Sequence, residues 1–206
     1  MVKTYGLLFI GILLGLIITT SAWYFLKGDY TYQGSLIDPP VPAADFELTD
    51  QYGTPFRLDD QRGNIVLIFF GYTNCPDVCP VTLSDFMAIK KQLGEQADNV
   101  KFVFITVDPE RDRQEILQNY LQRFDPEFIG LSGDRAELEG VWKDYGVYQE
   151  RQETDSAIGY LVDHTARVYA IDKSGNWRLT YPFGMETKKL LQDLKQLLKE
   201  TNNSDL

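Results

Sequence analysis
The chain has 206 residues, 44% of them apolar and 13% aromatic, which is enough for a membrane segment and one domain with a real core. Its formal net charge is −10, with 20 Lys and Arg against 30 Asp and Glu, and this acidic balance argues against nucleic acid as a partner. Two cysteines and one histidine are its whole stock of thiol and imidazole groups, so a Cys/His site has almost no choice of members.

Residues 1–26 read as an N-terminal membrane anchor. Residues 5–26 carry no charge, and a bilayer crossing takes about 20 apolar residues. Lys3 keeps the N-terminus inside, although Lys27 on the far side weakens that bias. Trp23 and Tyr24 sit where an interfacial aromatic belt would lie. The alternative is a signal peptide cleaved after the small residues Thr20, Ser21 and Ala22. Either way the remainder leaves the cytoplasm. The simplest location is a bacterial cytoplasmic membrane, single-pass, with the globular domain on the periplasmic side.

Residues 27–42 hold Gly28, Gly34, Pro39, Pro40 and Pro42 and read as a linker. A domain over 43–200 follows, with a short tail at 201–206. Within it, 46–49 and 55–58 flank a turn and predict a hairpin. The run Ile65-Val66-Leu67-Ile68-Phe69-Phe70 predicts a buried strand, and 100–107 a second. Residues 81–93 predict a helix whose core face holds Leu83, Phe86, Met87, Ile89 and Leu93. The acids of 108–112 open a helix running to about 124. A strand at 128–131, a helix at 134–144 and a strand at 146–148 come next, then a solvated polar loop over 149–156. Strands at 159–162, 167–171 and 177–181 lead to a last helix over 186–200, striped by Leu190, Leu191, Leu194, Leu197 and Leu198. Strands alternating with helices, then a hairpin and a closing helix, predict an α/β fold: a mixed sheet flanked by helices on both faces and preceded by one transmembrane helix.

The two thiols lie in Gly71-Tyr72-Thr73-Asn74-Cys75-Pro76-Asp77-Val78-Cys79-Pro80, directly after the first buried strand. Each cysteine precedes a proline, which pushes it away from helical dihedrals. Pro80 suits the first turn of the next helix and puts Cys79 at or near the helix cap, where free N–H groups favour a thiolate. A structural disulfide would close too short a loop to stabilise the fold much. Metal binding and redox chemistry therefore remain. His164 lies in a polar Asp163-His164-Thr165 loop, and only folding could bring it to the thiols. Two thiolates and an imidazole without a strong fourth ligand suit Cu(I), whereas structural zinc would want four ligands. A catalytic zinc on the same three residues stays open.

These residues carry a family resemblance. The cysteine stretch, with Val107-Asp108-Pro109-Glu110-Arg111-Asp112 and Tyr160-Leu161-Val162-Asp163-His164, resembles the SCO/SenC family over about 43–198 and in the N-terminal anchor. The resemblance implies a thioredoxin-like fold and a membrane-anchored copper chaperone serving the CuA centre of cytochrome c oxidase. Its partners would be the CuA-bearing subunit, other copper chaperones and thiol reductants. Cys75, Cys79 and His164 would be the copper ligands, for Cu(I) and for Cu(II), with the Cys75–Cys79 disulfide as the oxidised form. Asp77 and Asp163 flank the ligands, and their position fits either orienting them or hydrogen bonding within the loop turns. The acids of 108–112 are most simply a helix start, but the stretch recurs near the site in the family, which leaves a supporting role open. No enzymatic turnover is implied.

The thioredoxin relationship supplies a second function, a thiol–disulfide reductase. Such enzymes usually carry a cis-proline facing the cysteines. This chain has no proline between Glu127 and Tyr181, and His164 stands near the equivalent place, which favours metal. A peroxidase is less well supported, since no Pro-x-x-x-Thr-x-x-Cys pattern precedes the cysteines.

Overall fold
The computed structural model describes residues 12–20, 30–154 and 159–200. The chain divides into two compact units, Met1–Thr31 and Tyr32–Leu206. In the first, residues 12–20 form helix α1. Among the described residues no helix is long and apolar enough to cross a membrane. The rest of the predicted span, with Trp23 and Tyr24, lies outside the described residues, as does the tail at 201–206.

The second unit is built on one eight-stranded mixed sheet, ordered β1-β10-β9-β4-β5-β6-β2-β3. Its centre is β4 (Ile65–Gly71), buried at every position, beside β5 (Val100–Thr106) in parallel register. Both are continuous apolar runs, as expected of strands covered on both faces. β6 (Ile129–Ser132) extends the parallel set, and β9 (Arg167–Ile171) and β10 (Asn176–Pro182) add antiparallel strands on the other side. β2 (Glu47–Asp50) and β3 (Pro55–Arg57) form the predicted hairpin at one edge.

Three helices cover one face. α2 (Val78–Leu93) and α3 (Gln114–Leu121) are the crossovers from β4 to β5 and from β5 to β6. Right-handed crossovers that step along a sheet in one direction fall on the same face. Phe86 of α2 packs on Phe102 with ring centroids 5.3 Å apart, and Tyr120 of α3 packs on Phe104 at 6.0 Å. α5 (Thr187–Lys199) lies against α2, with Thr187 Oγ1 donating to Asp85 at 2.7 Å. α4 (Arg135–Asp144) takes the other face. Its C-terminal neighbour Tyr145 packs on Phe70 and Tyr169, whose side chains alternate away from Phe69 and Val168. α4 begins on a reciprocal cap between Asp134 and Glu137.

Four local readings change. Ser35–Pro42, inside the predicted linker, forms the edge strand β1 against β10. Its prolines fit an edge, where half the backbone donors have no ladder partner to lose. Gln149–Glu153, read as a solvated loop, forms β7 and pairs with β8 (Tyr160–His164) in a separate two-stranded sheet, while 146–148 holds no strand. β7 is polar on both sides because neither side faces the core. Residues 108–113 form a closed turn, and helix α3 starts only at Gln114. Met87 is exposed, one position off the buried stripe of α2.

Candidate metal centre
The cysteines lie beyond the carboxyl end of β4, where sites form in sheets of this kind. Val107 N–H closes onto Gly71 O at 2.8 Å, and the chain then turns through 73–77 into α2. Gly71 is needed for lack of a side chain: a Cβ there would stand 2.8 Å from Cys79 Sγ and 2.7 Å from the Phe104 ring. α2 starts at Val78, so Cys79 and Pro80 both fall in its first turn, where a proline costs no backbone bond. The Cys79 N–H donates to Cys75 Sγ at 3.4 Å. The free N–H at the helix start thus serves Cys75, not Cys79 as the sequence suggested. Cys79 is fully buried and Cys75 half-buried.

His164 is the last residue of β8 rather than a loop residue, because the pairing with β7 carries the strand through to the Gln149–His164 pair. Its ring meets Phe69 and Tyr72 edge-on, with centroids 6.1 Å and 5.8 Å away. Nδ1 lies 3.3 Å from Thr165 O, and Nε2 faces the sulfurs. Nε2 is 3.8 Å from Cys79 Sγ. Two Sγ atoms and one imidazole nitrogen lie within 4.8 Å of one another, the one such cluster of potential metal ligands among the described residues. Three donors bonded to one ion at about 2.0–2.3 Å in a plane would stand about 3.7 Å apart. The set is soft to borderline and contains no carboxylate, so its chemistry fits copper.

The two thiols divide one proton unequally. The hydrogen bond from Cys79 draws the Cys75 thiol down to about 4, against the opposing effect of burial, and His164 and the backbone N–H groups of Cys79 and Asp77 add to it. Burial pushes Cys79 strongly up, and its hydrogen bond to Cys75 and the charge there push it further. At neutral pH the pair is a Cys75 thiolate beside a Cys79 thiol. Burial also raises Tyr72 to about 12, against a backbone hydrogen bond at Val162.

Asp77 and Asp163 are exposed, and among the described residues neither carboxylate makes a hydrogen bond or ion pair. Two other carboxylates are buried beneath the site, at 2% and 0% exposure: Asp108 and Asp112. Asp112 accepts from Thr73 Oγ1 at 2.6 Å, from Thr73 N–H at 3.0 Å and from Thr106 Oγ1 at 2.8 Å. Asp108 accepts from the Tyr160 hydroxyl at 2.7 Å and from Arg111. The sequence showed these acids most simply as a helix start, with a supporting role left open by the family resemblance. The available signal was their position directly after a buried strand, at the sheet end that carries the cysteines.

Comparison with known proteins agrees with this geometry. The SCO1/SenC family model matches residues 37–199. An SCO2-like protein of Rickettsia felis is 38% identical over 152 residues, which cover 73% of this chain and 74% of that protein. The structure of Bradyrhizobium japonicum ScoI with copper bound superimposes with a TM-score of 0.70 at 39% identity, covering 76% of this chain and 99% of that one. The solution structure of apo Sco1 from Thermus thermophilus gives 0.73 at 34% identity, covering 83% and 99%. The fold is therefore the thioredoxin-like one of these proteins, and the chain belongs to the SCO1/SenC family.

Proposed function
We propose that this protein is a membrane-tethered, extracytoplasmic copper chaperone that delivers copper to the CuA centre of cytochrome c oxidase during assembly. The observation that carries the reading is the convergence of Cys75, Cys79 and His164 within 4.8 Å at a site reached from solvent through the half-buried Cys75. Copper bound in the Bradyrhizobium relative supports the choice of metal. Residues 1–26 anchor the chain with its N-terminus inside, the domain over 43–200 together with β1 faces the periplasm, and 201–206 is a tail. Cu(I) enters as cargo: Cys75 is already a thiolate, Cys79 gives up its proton on binding, and His164 supplies the third donor. The exposed carboxylates of Asp77 and Asp163 bias the site by charge. Transfer to the CuA-bearing subunit proceeds by ligand exchange, with other copper chaperones upstream.

A second activity of the same residues, reduction of cysteine pairs in the oxidase or elsewhere in the envelope, is favoured by the unequal thiols. The accessible Cys75 thiolate would attack a partner disulfide, releasing one partner thiol. Cys79 would then resolve the mixed disulfide, leaving Cys75–Cys79 oxidised and the partner reduced by two electrons. An external thiol reductant would reset the pair.

The test is an anaerobic Cu(I) titration of the reduced protein against a competing chelator, beside His164→Ala. One copper per chain, held more weakly by the variant, is expected. Equal affinity in the variant removes His164 from the ligand set. Absence of competitive binding, with facile Cys75–Cys79 cycling, leaves the reductase.

A further inference from the structure
The two halves of the site reach it from different sheets. The cysteine loop leaves β4 of the main sheet, whereas His164 ends β8 of the two-stranded sheet. Both are fastened to one short turn, 106–112. Its backbone closes on itself, with Asp112 N–H donating to Asp108 O at 2.9 Å and Arg111 N–H to the same oxygen at 3.2 Å. The Thr106 hydroxyl joins the two acids, donating to Asp112 and accepting from Asp108 N–H at 2.9 Å.

From this turn Asp112 holds the cysteine loop through both donors of Thr73, two residues before Cys75. Asp108 holds β8 through the Tyr160 hydroxyl. Arg111 reinforces that hold, donating to Tyr160 O at 3.0 Å and lying 3.5 Å from the centre of the Tyr160 ring. Tyr160, Val162 and His164 project to one side of β8, so a rotation of the strand moves them together. His164 lies about 13 Å along the strand from Tyr160, so a small rotation at the anchor displaces the imidazole. Burying two carboxylates is costly unless their hydrogen bonds fix something. Here those bonds run to the two segments whose spacing sets the site.

We propose that Asp108 and Asp112, acting through Tyr160 and Thr73, are positioning residues that fix the distance between the cysteine pair and His164. This inference rests on the three-ligand reading above.

The experiment uses the full-length chain with Tyr160→Phe, Thr73→Val, His164→Ala and the double variant His164→Ala/Tyr160→Phe. Tyr160→Phe keeps the ring against Arg111 and loses only the hydroxyl. Three quantities are read: Cu(I) affinity against a chelator, the rate of Cys75–Cys79 disulfide formation with oxidised glutathione, and thermal stability. Tyr160→Phe should weaken Cu(I) about tenfold, the scale for groups that orient metal ligands, and leave the oxidation rate within about twofold. In the His164→Ala background it should have no further effect on affinity. Thr73→Val should weaken Cu(I) and also change the oxidation rate, because it acts on the cysteines. Unchanged affinity in Tyr160→Phe, or a loss that persists without His164, overturns the inference. An unaltered affinity in His164→Ala alone instead overturns the ligand set beneath it.

Discussion

The cysteine side of the site and the histidine side are built to different standards. Cys79 is fully buried in the first turn of α2, against a β4 strand buried along its whole length. Its sulfur lies beside Gly71, where an added Cβ would stand within 3 Å of the sulfur and of the Phe69 and Phe104 rings. His164 ends a two-stranded sheet whose outer strand, β7, is exposed at four of its five positions. A two-stranded sheet alone is marginally stable, so β8 depends on its ties at Tyr160 and on the edge-on contacts of the His164 ring. The contrast suits a carrier. A rigid dithiol keeps its geometry through loading and release, and the third donor sits on a two-stranded sheet separate from the main one. Opening on the histidine side would lower the coordination number without disturbing the core.

The largest effect expected to test this contrast is that of Cys79→Ser. Serine leaves the packing nearly intact and removes a sulfur, so competitive Cu(I) binding should be lost while the thermal transition changes little. Retained binding would show that the rigid side is not where copper is held. Gly71→Ala comes next. Its methyl group would overpack the sulfur and two phenylalanines, at a cost of about 1–3 kcal/mol, and chemical denaturation should show that loss together with weaker Cu(I) binding. A variant as stable as the wild type would mean that the cysteine side yields more readily than its packing implies.

A pH series probes the turn beneath the cysteines. Burial raises Asp112 to about 6, against the hydrogen bonds from Thr73 and Thr106. The folded value lies above the ordinary 3.8, so the protonated form is the one that folding favours. That stabilisation is complete below about 3.8 and is lost as pH rises through about 6, amounting to about 3 kcal/mol at neutral pH. Asp112→Asn should therefore flatten the stability profile between pH 4 and 7, measured by denaturant unfolding of the apo protein. An unaltered slope would place the titration elsewhere. The smallest effects belong to the exposed acids. Asp77→Asn and Asp163→Asn should each change Cu(I) affinity no more than a few-fold, below the roughly 10–100-fold typical of groups bonded to ligands. A larger loss in either would show that these side chains turn inward when copper binds.

Much of the chain was legible before folding. The apolar runs of β4 and β5, the leucine stripe of α5, and the prolines that put the cysteines at a strand-to-helix junction are local patterns, and local sterics and burial decide them. The soft character of two thiols and an imidazole was equally plain, and the family resemblance linked His164 to them. The elements missed share one property, which is that their partners are distant in sequence. β1 is a proline-bearing segment that becomes a strand only because β10 lies beside it, and β7 is a polar segment ordered by β8. The acids at 108–112 match a helix start in every local respect. Their bonds to Thr73 and Tyr160 span 39 and 52 residues, and no local signal carries them.

The sequence by itself determined which groups could bind a soft metal and that the cysteines would meet at the mouth of a strand, because residue chemistry and proline stereochemistry act over a few positions. Only the tertiary structure decided which thiol carries the charge, how close His164 approaches, and which acids support the site. Each of those depends on burial and on hydrogen bonds between segments that the chain brings together only when it folds.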